Sequence, residues 1–213
     1  LPYAWAWFVW LAGTAALLLA ALRIRATVWR FAMLVMASPA ALACVIKGQN
    51  GFLSAALLAG SLSLLDRRPH LAGLCLGLLA FKPHFGLVLP VLLAASGRWS
   101  VFAAASATVL ASVAAATLAF GPSIWPVFIA SATGATAEWM TPGIALAAMQ
   151  TVYATAAQHI GARNAALLHA LAAMGVLALA LHIWRAESTH GVRGAAAIAA
   201  TFLVTPYAHN HDA

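Results

Sequence analysis

Long apolar runs separated by brief polar breaks make up most of the chain. They predict helices at about 4–22, 31–46, 51–65, 70–81, 84–96, 99–120, 164–184 and 194–206. All are rich in Ala and Leu, and their small residues permit close helix packing. Some are short: 70–81 as a helix rises about 18 Å against a hydrocarbon core of about 30 Å. Irregular backbone at membrane depth is tolerated only where it lines a cavity. The pattern therefore predicts an all-α, polytopic membrane bundle in which short or broken helices meet at the floor of a recess. Neither an internal repeat nor a polar linker divides the chain, so residues 1–213 are expected to form one multi-pass domain. Leu1 is preceded by no basic n-region of the kind a signal peptide carries, and the chain reads as a piece of a longer polytopic protein.

Composition agrees with the pattern. Hydrophobic residues are 64% of the chain and charged ones 7%, too few to cover a water-soluble domain. The net charge of +7 would suit nucleic acid if the bases formed a patch, but their positions suggest otherwise. Arg23, Arg25, Arg30, Arg67, Arg68, Arg98, Arg185 and Arg193, eight of the eleven basic residues, fall on one side if each run crosses once. The positive-inside rule makes that side cytoplasmic, and no nucleic-acid partner is expected. Trp29, Trp99 and Trp184 adjoin these arginines, whereas Trp5, Trp7, Trp125 and Trp139 fall at the other interface, as two aromatic belts would. Segment 70–96 could be one kinked helix or a hairpin, and only the hairpin returns Arg98 to the arginine side. Cys44 and Cys75 lie in apolar runs and read as packing residues.

Nearly all remaining polar chemistry collects opposite the arginines. In "CVIKGQNGFL" Asn50 can cap a helix starting near Gly51 while Lys47 snorkels to the headgroups; alternatively Gln49 and Asn50 donate to sugar hydroxyls or a phosphate beside the lysine. "AFKPHFGLVLP" places Lys82 at membrane depth, where an ammonium is expensive and points to an anionic partner. Pro83 disfavours helical geometry at Lys82 and should turn its carbonyl toward the cavity; His84 either shares the task or lines the bend. "TPYAHNHDA" gathers Tyr207, His209, Asn210, His211 and Asp212, which suits a general base or a phosphate site better than a metal, since no third ligand stands at suitable spacing. It could also be an ordinary polar loop. His169 and His182 are expected to face neighbouring helices, and His70 and His190 to sit at the arginine edge. "IALAAMQTVYATAAQHI" could form an interfacial helix presenting Gln150, Tyr153 and His159, with Glu138 a possible acceptor contact.

The succession "SPAALACVIKGQNGFL", "DRRPHLAGLCLGLLAFKPHFGLVLPVLLAASGRW" and "TPYAHNHD" resembles membrane glycosyltransferase family 87, densest over 38–99 and again at 202–212. The resemblance implies a GT-C-like fold and transfer of a hexose, mannose first among them, on the extracytoplasmic side. The donor would be a polyprenyl-phosphate sugar, a co-substrate with no cofactor or metal, and the acceptor a glycolipid or polysaccharide. Related enzymes carry a catalytic carboxylate in the first outer loop, and no residue here matches it; the base is expected upstream of Leu1. On this reading His209 and His211 are the catalytic candidates, and Lys82, His84, Lys47, Gln49, Asn50 and Asp212 bind the donor phosphate or sugar. A fixed ammonium such as Lys82 would stabilise the leaving phosphate, and an apolar groove between spans would hold the isoprenoid tail. A transporter or flippase of lipid-linked sugars is the alternative, because broken helices also mark transport sites. Composition rich in Ala, with Arg over Lys, hints at a GC-rich bacterium and its plasma membrane.

Overall fold

The computed structural model describes residues 2–23, 29–139, 149–186, 189–206 and 208. Among these the architecture is all-α, with helices α1 (Tyr3–Arg23), α2 (Trp29–Met36), α3 (Pro39–Lys47), α4 (Gly51–Leu64), α5 (Pro69–Leu78) and α6 (Leu89–Ala95). They are followed by α7 (Trp99–Phe120), α8 (Ile124–Trp139), α9 (Val152–Ile160), α10 (Ala162–Arg185) and α11 (His190–Val204). Three of them, α1, α7 and α10, are long and apolar enough to cross a membrane. Leu110 and Leu118 on α7 and Leu171 on α10 remain exposed, an apolar surface that water would not favour but lipid does. This is an all-α membrane protein.

Two elements differ from the pattern-based expectation. The run 31–46 is not one helix: it breaks at Ala37–Ser38, because Pro39 cannot continue a preceding helix and instead opens α3. Ser38 caps that start, its Oγ accepting the Ala41 N–H at 3.2 Å. Between 121 and 163, α8 is a helix that the list of runs did not contain; Gly and Thr dilute its apolar run. The starts at Gly51, Pro69 and Trp99 fall within a residue of expectation.

Segment 69–95 is a hairpin. Helix α5 ascends, passes through two 3-10 turns at Leu79–Phe81 and Pro83–Gly86, and α6 descends. Its return is fixed by charge: Arg98 Nη1 lies 2.6 Å from Asp66 Oδ1, so the chain ends the hairpin beside the point where it began. His190 Nδ1 stands 2.9 Å from Asp66 Oδ2, which brings the start of α11 to the same end. Arg98, Trp184, His190 and Arg193 border one small cleft there. The expected gathering of Arg67, Arg68, Arg98, Arg185 and Arg193 at one end is thus observed.

Parallel packing of α5 on α7 sets the depth of the hairpin. A Cβ on Gly73 would lie 2.5 Å from Ala104 Cβ and from the Val101 carbonyl oxygen, and one on Gly77 would lie 2.6 Å from the Ala105 carbonyl. The spacing of these glycines, "GLCLG", lets the two backbones touch. On the other side, Gly60 of α4 faces Cys75 of α5 at Cβ distance 3.7 Å and Ala21 of α1 at 3.9 Å. Helix α4 is thereby sandwiched between α1 and α5, and Cys44 and Cys75 pack without a disulfide. A core of Leu58, Leu79, Phe85, Val88, Leu92, Val101 and Trp184 joins the hairpin to α7, α10 and α11.

Candidate functional site

The tip of the hairpin carries "KPHF", residues 82–85. Lys82 adopts φ −121, ψ 79, outside the helical region, as a residue before proline must. Its carbonyl is not turned into a cavity as expected: it accepts the Phe85 N–H at 3.0 Å and closes the 3-10 turn, which Pro83 permits because at the first position of the turn it need donate no bond. The turn is held by its aromatic ring. Phe85 is 1% exposed, and its ring meets that of Phe202 at 5.3 Å between centroids, edge to face. Lys82 Nζ lies 5.3 Å from the Phe85 centroid, and the His84 ring lies 4.4 Å from it, so the ammonium and the imidazole flank one buried anchor. Both side chains are half-buried.

The turn is also recessed. Val109 and Leu110 line the same groove as Pro83, which places the turn about ten residues, roughly 15 Å along the axis, short of the α7 terminus at Phe120. That groove has a volume of about 490 Å³ and runs between α5, the turn, α6 and α7. Leu76, Leu79, Phe85, Leu93, Phe102 and Leu110 dominate its walls, and Ser106 is its one hydroxyl among the described lining residues.

The "KGQN" stretch is one helix away. Gly48 ends α3 in the left-handed region, φ 61, with its N–H on the Val45 carbonyl and the Gln49 N–H on the Cys44 carbonyl. Trp7 of α1 stands 3.1 Å from where a Cβ would be, so glycine is required twice over. Asn50 precedes α4 but does not cap it with its side chain: no cap bond forms, and its Oδ1 is buried with no partner among the described residues. At φ −89, ψ 16 its backbone is not extended, so the side chain cannot reach the N2 or N3 amide. Because Gly60 faces Cys75 in the antiparallel α4–α5 pair, Lys82 levels with residue 53, and Gln49 and Asn50 lie about 5 Å farther out. Lys47 is exposed at the end of α3. Lys82 and His84 are thus brought together, while Lys47, Gln49 and Asn50 form a separate group on the neighbouring helix pair.

Tyr207, His209, Asn210, His211 and Asp212 lie outside the described residues, but the backbone leading to them is well anchored. His169 of α10, 7% exposed, donates through Nε2 to the Val204 carbonyl at 3.0 Å. Thr151 Oγ1 donates to the Pro206 carbonyl at 2.8 Å while accepting the Ala154 N–H at 3.0 Å, and the Gln150 N–H donates to the Ala208 carbonyl at 3.0 Å. Thr205 is fully buried between these contacts. Sequence reasoning expected His169 to face a helix neighbour, which it does, but passed over Thr151; a Thr three residues before a helical amide was the available signal. Tyr153 packs in the core under α9 instead of being presented at the surface, whereas Gln150 and His159 are exposed. His182, expected against a neighbouring helix, is exposed.

Phe202 links these parts. It sits on α11, touching the KPHF turn, three residues before the anchored Thr205–Ala208 strap. Comparison with curated proteins and with solved structures returns no match. The family model of glycosyltransferase family 87 matches residues 1–206, nearly the whole chain. The chain belongs to glycosyltransferase family 87 and is a membrane glycosyltransferase.

Proposed function

We propose that the protein transfers a hexose, mannose by preference, from a polyprenyl-phosphate donor to a glycolipid or polysaccharide acceptor on the extracytoplasmic side of a cell membrane, in a GT-C-like framework. The observation that carries this reading is the apolar groove ending at the turn that bears Lys82. Its volume of about 490 Å³ lies within the range of about 300–1,000 Å³ usual for ligand sites. An isoprenoid chain fits such walls, each buried CH₂ contributing about 0.8 kcal/mol. A phosphate at the head of that chain would meet the Lys82 ammonium and, beside it, His84. Gln49, Asn50 and Lys47, one helix farther out, would bind the sugar on this reading.

Chemistry follows from charge. An acceptor hydroxyl oxygen bonds to the anomeric carbon as the bond from that carbon to the phosphate oxygen breaks, and the electron pair stays on the phosphate. The hydroxyl proton passes to a base; His209 and His211 are this chain's candidates to take it or to orient the carboxylate that does, with Asp212 beside them to orient an imidazole. Negative charge on the departing oxygen is greatest late in the reaction, so a fixed ammonium stabilises the transition state more than the ground state. The arginines at the other end support a cytoplasmic place for that end and an outer one for the turn.

Lys82→Ala tests the reading. Purified full-length protein should lose transfer from polyprenyl-phosphate hexose by about 10²–10³-fold, the scale of losing one charge-stabilising donor, while keeping its thermal transition. Lys82→Arg should be impaired less, since a planar fork replaces a compact charge. Unchanged turnover in Lys82→Ala would remove the phosphate assignment. Movement of the lipid-linked sugar across vesicles without transfer would replace the enzyme by a flippase, for which a re-entrant hairpin also serves.

A further inference from the structure

A second groove, of about 540 Å³, adjoins the strap through Gln150 and Thr151. Helix α9 and Leu168 of α10 form it. Its lining is mixed: Val152, Ile160 and Leu168 supply apolar surface, and Gln150, Thr155 and His159 supply an amide, a hydroxyl and an imidazole. No formally charged side chain is among the described lining residues. Neutral donors and acceptors set beside aliphatic surface match a sugar, whose rim is hydroxyl and whose face is C–H, and offer nothing fixed to balance a phosphate.

Its position is as informative as its chemistry. Thr151 and Gln150, at the edge of this groove, hold the carbonyls of Pro206 and Ala208 at 2.8 and 3.0 Å. Phe202, on α11 three residues before the strap, meets Phe85 of the apolar groove. A short stretch of chain therefore links the mixed groove to the KPHF turn and the apolar groove. Resting on the transferase reading above, we infer that the groove of α9 is the acceptor subsite and takes a neutral saccharide head, with the strap and Phe202 linking it to the donor side.

A photoreactive octyl mannoside bearing a diazirine tests this on the purified full chain in lipid nanodiscs, with no donor present. Expected is labelling within residues 150–168, displaced by excess octyl mannoside and untouched by excess polyprenyl phosphate. Gln150→Ala combined with His159→Ala, both exposed and so free of the core, should reduce that labelling about tenfold, as the loss of two hydrogen bonds would. Labelling confined to the apolar groove, labelling displaced by polyprenyl phosphate, or labelling unaltered in the double variant would each overturn the assignment. Because the assay contains no donor, failure here is separate from failure at Lys82.

Discussion

At the residue scale, His169 is the side chain whose role a sequence alone least discloses. It lies about two turns into α10, and its Nε2–H ends on the last carbonyl of α11. A helix leaves its final carbonyls without intrahelical donors, and a buried one must find a partner elsewhere. His169 supplies it, one residue before the strap leading to His209 and His211. His169→Ala should cost about 1–3 kcal/mol by leaving that carbonyl unpaired, lowering the melting transition. If the bond also aims the strap, turnover should fall while the KM for the donor stays fixed, and His169→Gln, whose amide can donate, should recover part of both. A stability loss with undiminished turnover would limit His169 to holding the helices together. The same logic explains Asn50: its buried Oδ1 makes no cap bond, which leaves it available to a ligand hydroxyl.

At the element scale, the α5–α7 contact decides where the turn sits. Gly73 and Gly77 bring the backbones together so closely that any side chain must push them apart. Small residues matter here because lipid is as apolar as leucine, so helices associate through close packing and not through exclusion of water. Gly77→Ala should separate α5 from α7 and cost about 1–3 kcal/mol. Since Gly77 also lines the apolar groove, donor binding should weaken alongside. Gly86→Ala, where nothing lies within 4 Å of the added carbon, is the control and should leave stability unchanged. Equal stability of the Gly77 and Gly86 variants would mean that α5 and α7 are held apart from this contact. The break between α2 and α3 shows the opposite case, a feature written locally in Ser38–Pro39.

Across the whole molecule, the charges and the fold describe the same polarity. Asp66 gathers Arg98 and His190 at one end, while Trp7, Gly48, the KPHF turn and the strap lie toward the other. If the first end is cytoplasmic, cysteines introduced as Gln49→Cys or His84→Cys in a Cys44→Ala, Cys75→Ala background should react with an impermeant thiol reagent on intact cells. Arg185→Cys should react only after permeabilisation. The reverse pattern would invert the topology and place any transfer on the cytoplasmic side.

Apolar run length and arginine position together determined the helical membrane class, the gathering of charge at one end and the return of segment 70–96, because each depends on near neighbours in the chain. Proline likewise announced the non-helical backbone at Lys82. Other features needed the tertiary structure. Leu110, Leu118 and Leu58 are alike in sequence, yet Leu118 is 89% exposed and Leu58 4%. In a membrane, core and lipid-facing positions are both apolar, so hydrophobic periodicity cannot tell them apart. Phe85 as the buried anchor, the groove beside it, the partner of His169 and the link from Thr151 to Pro206 all join residues far apart in the chain. Such contacts are decided by which helices pack and at what register, and only close approach at Gly60, Gly73 and Gly77 settles that.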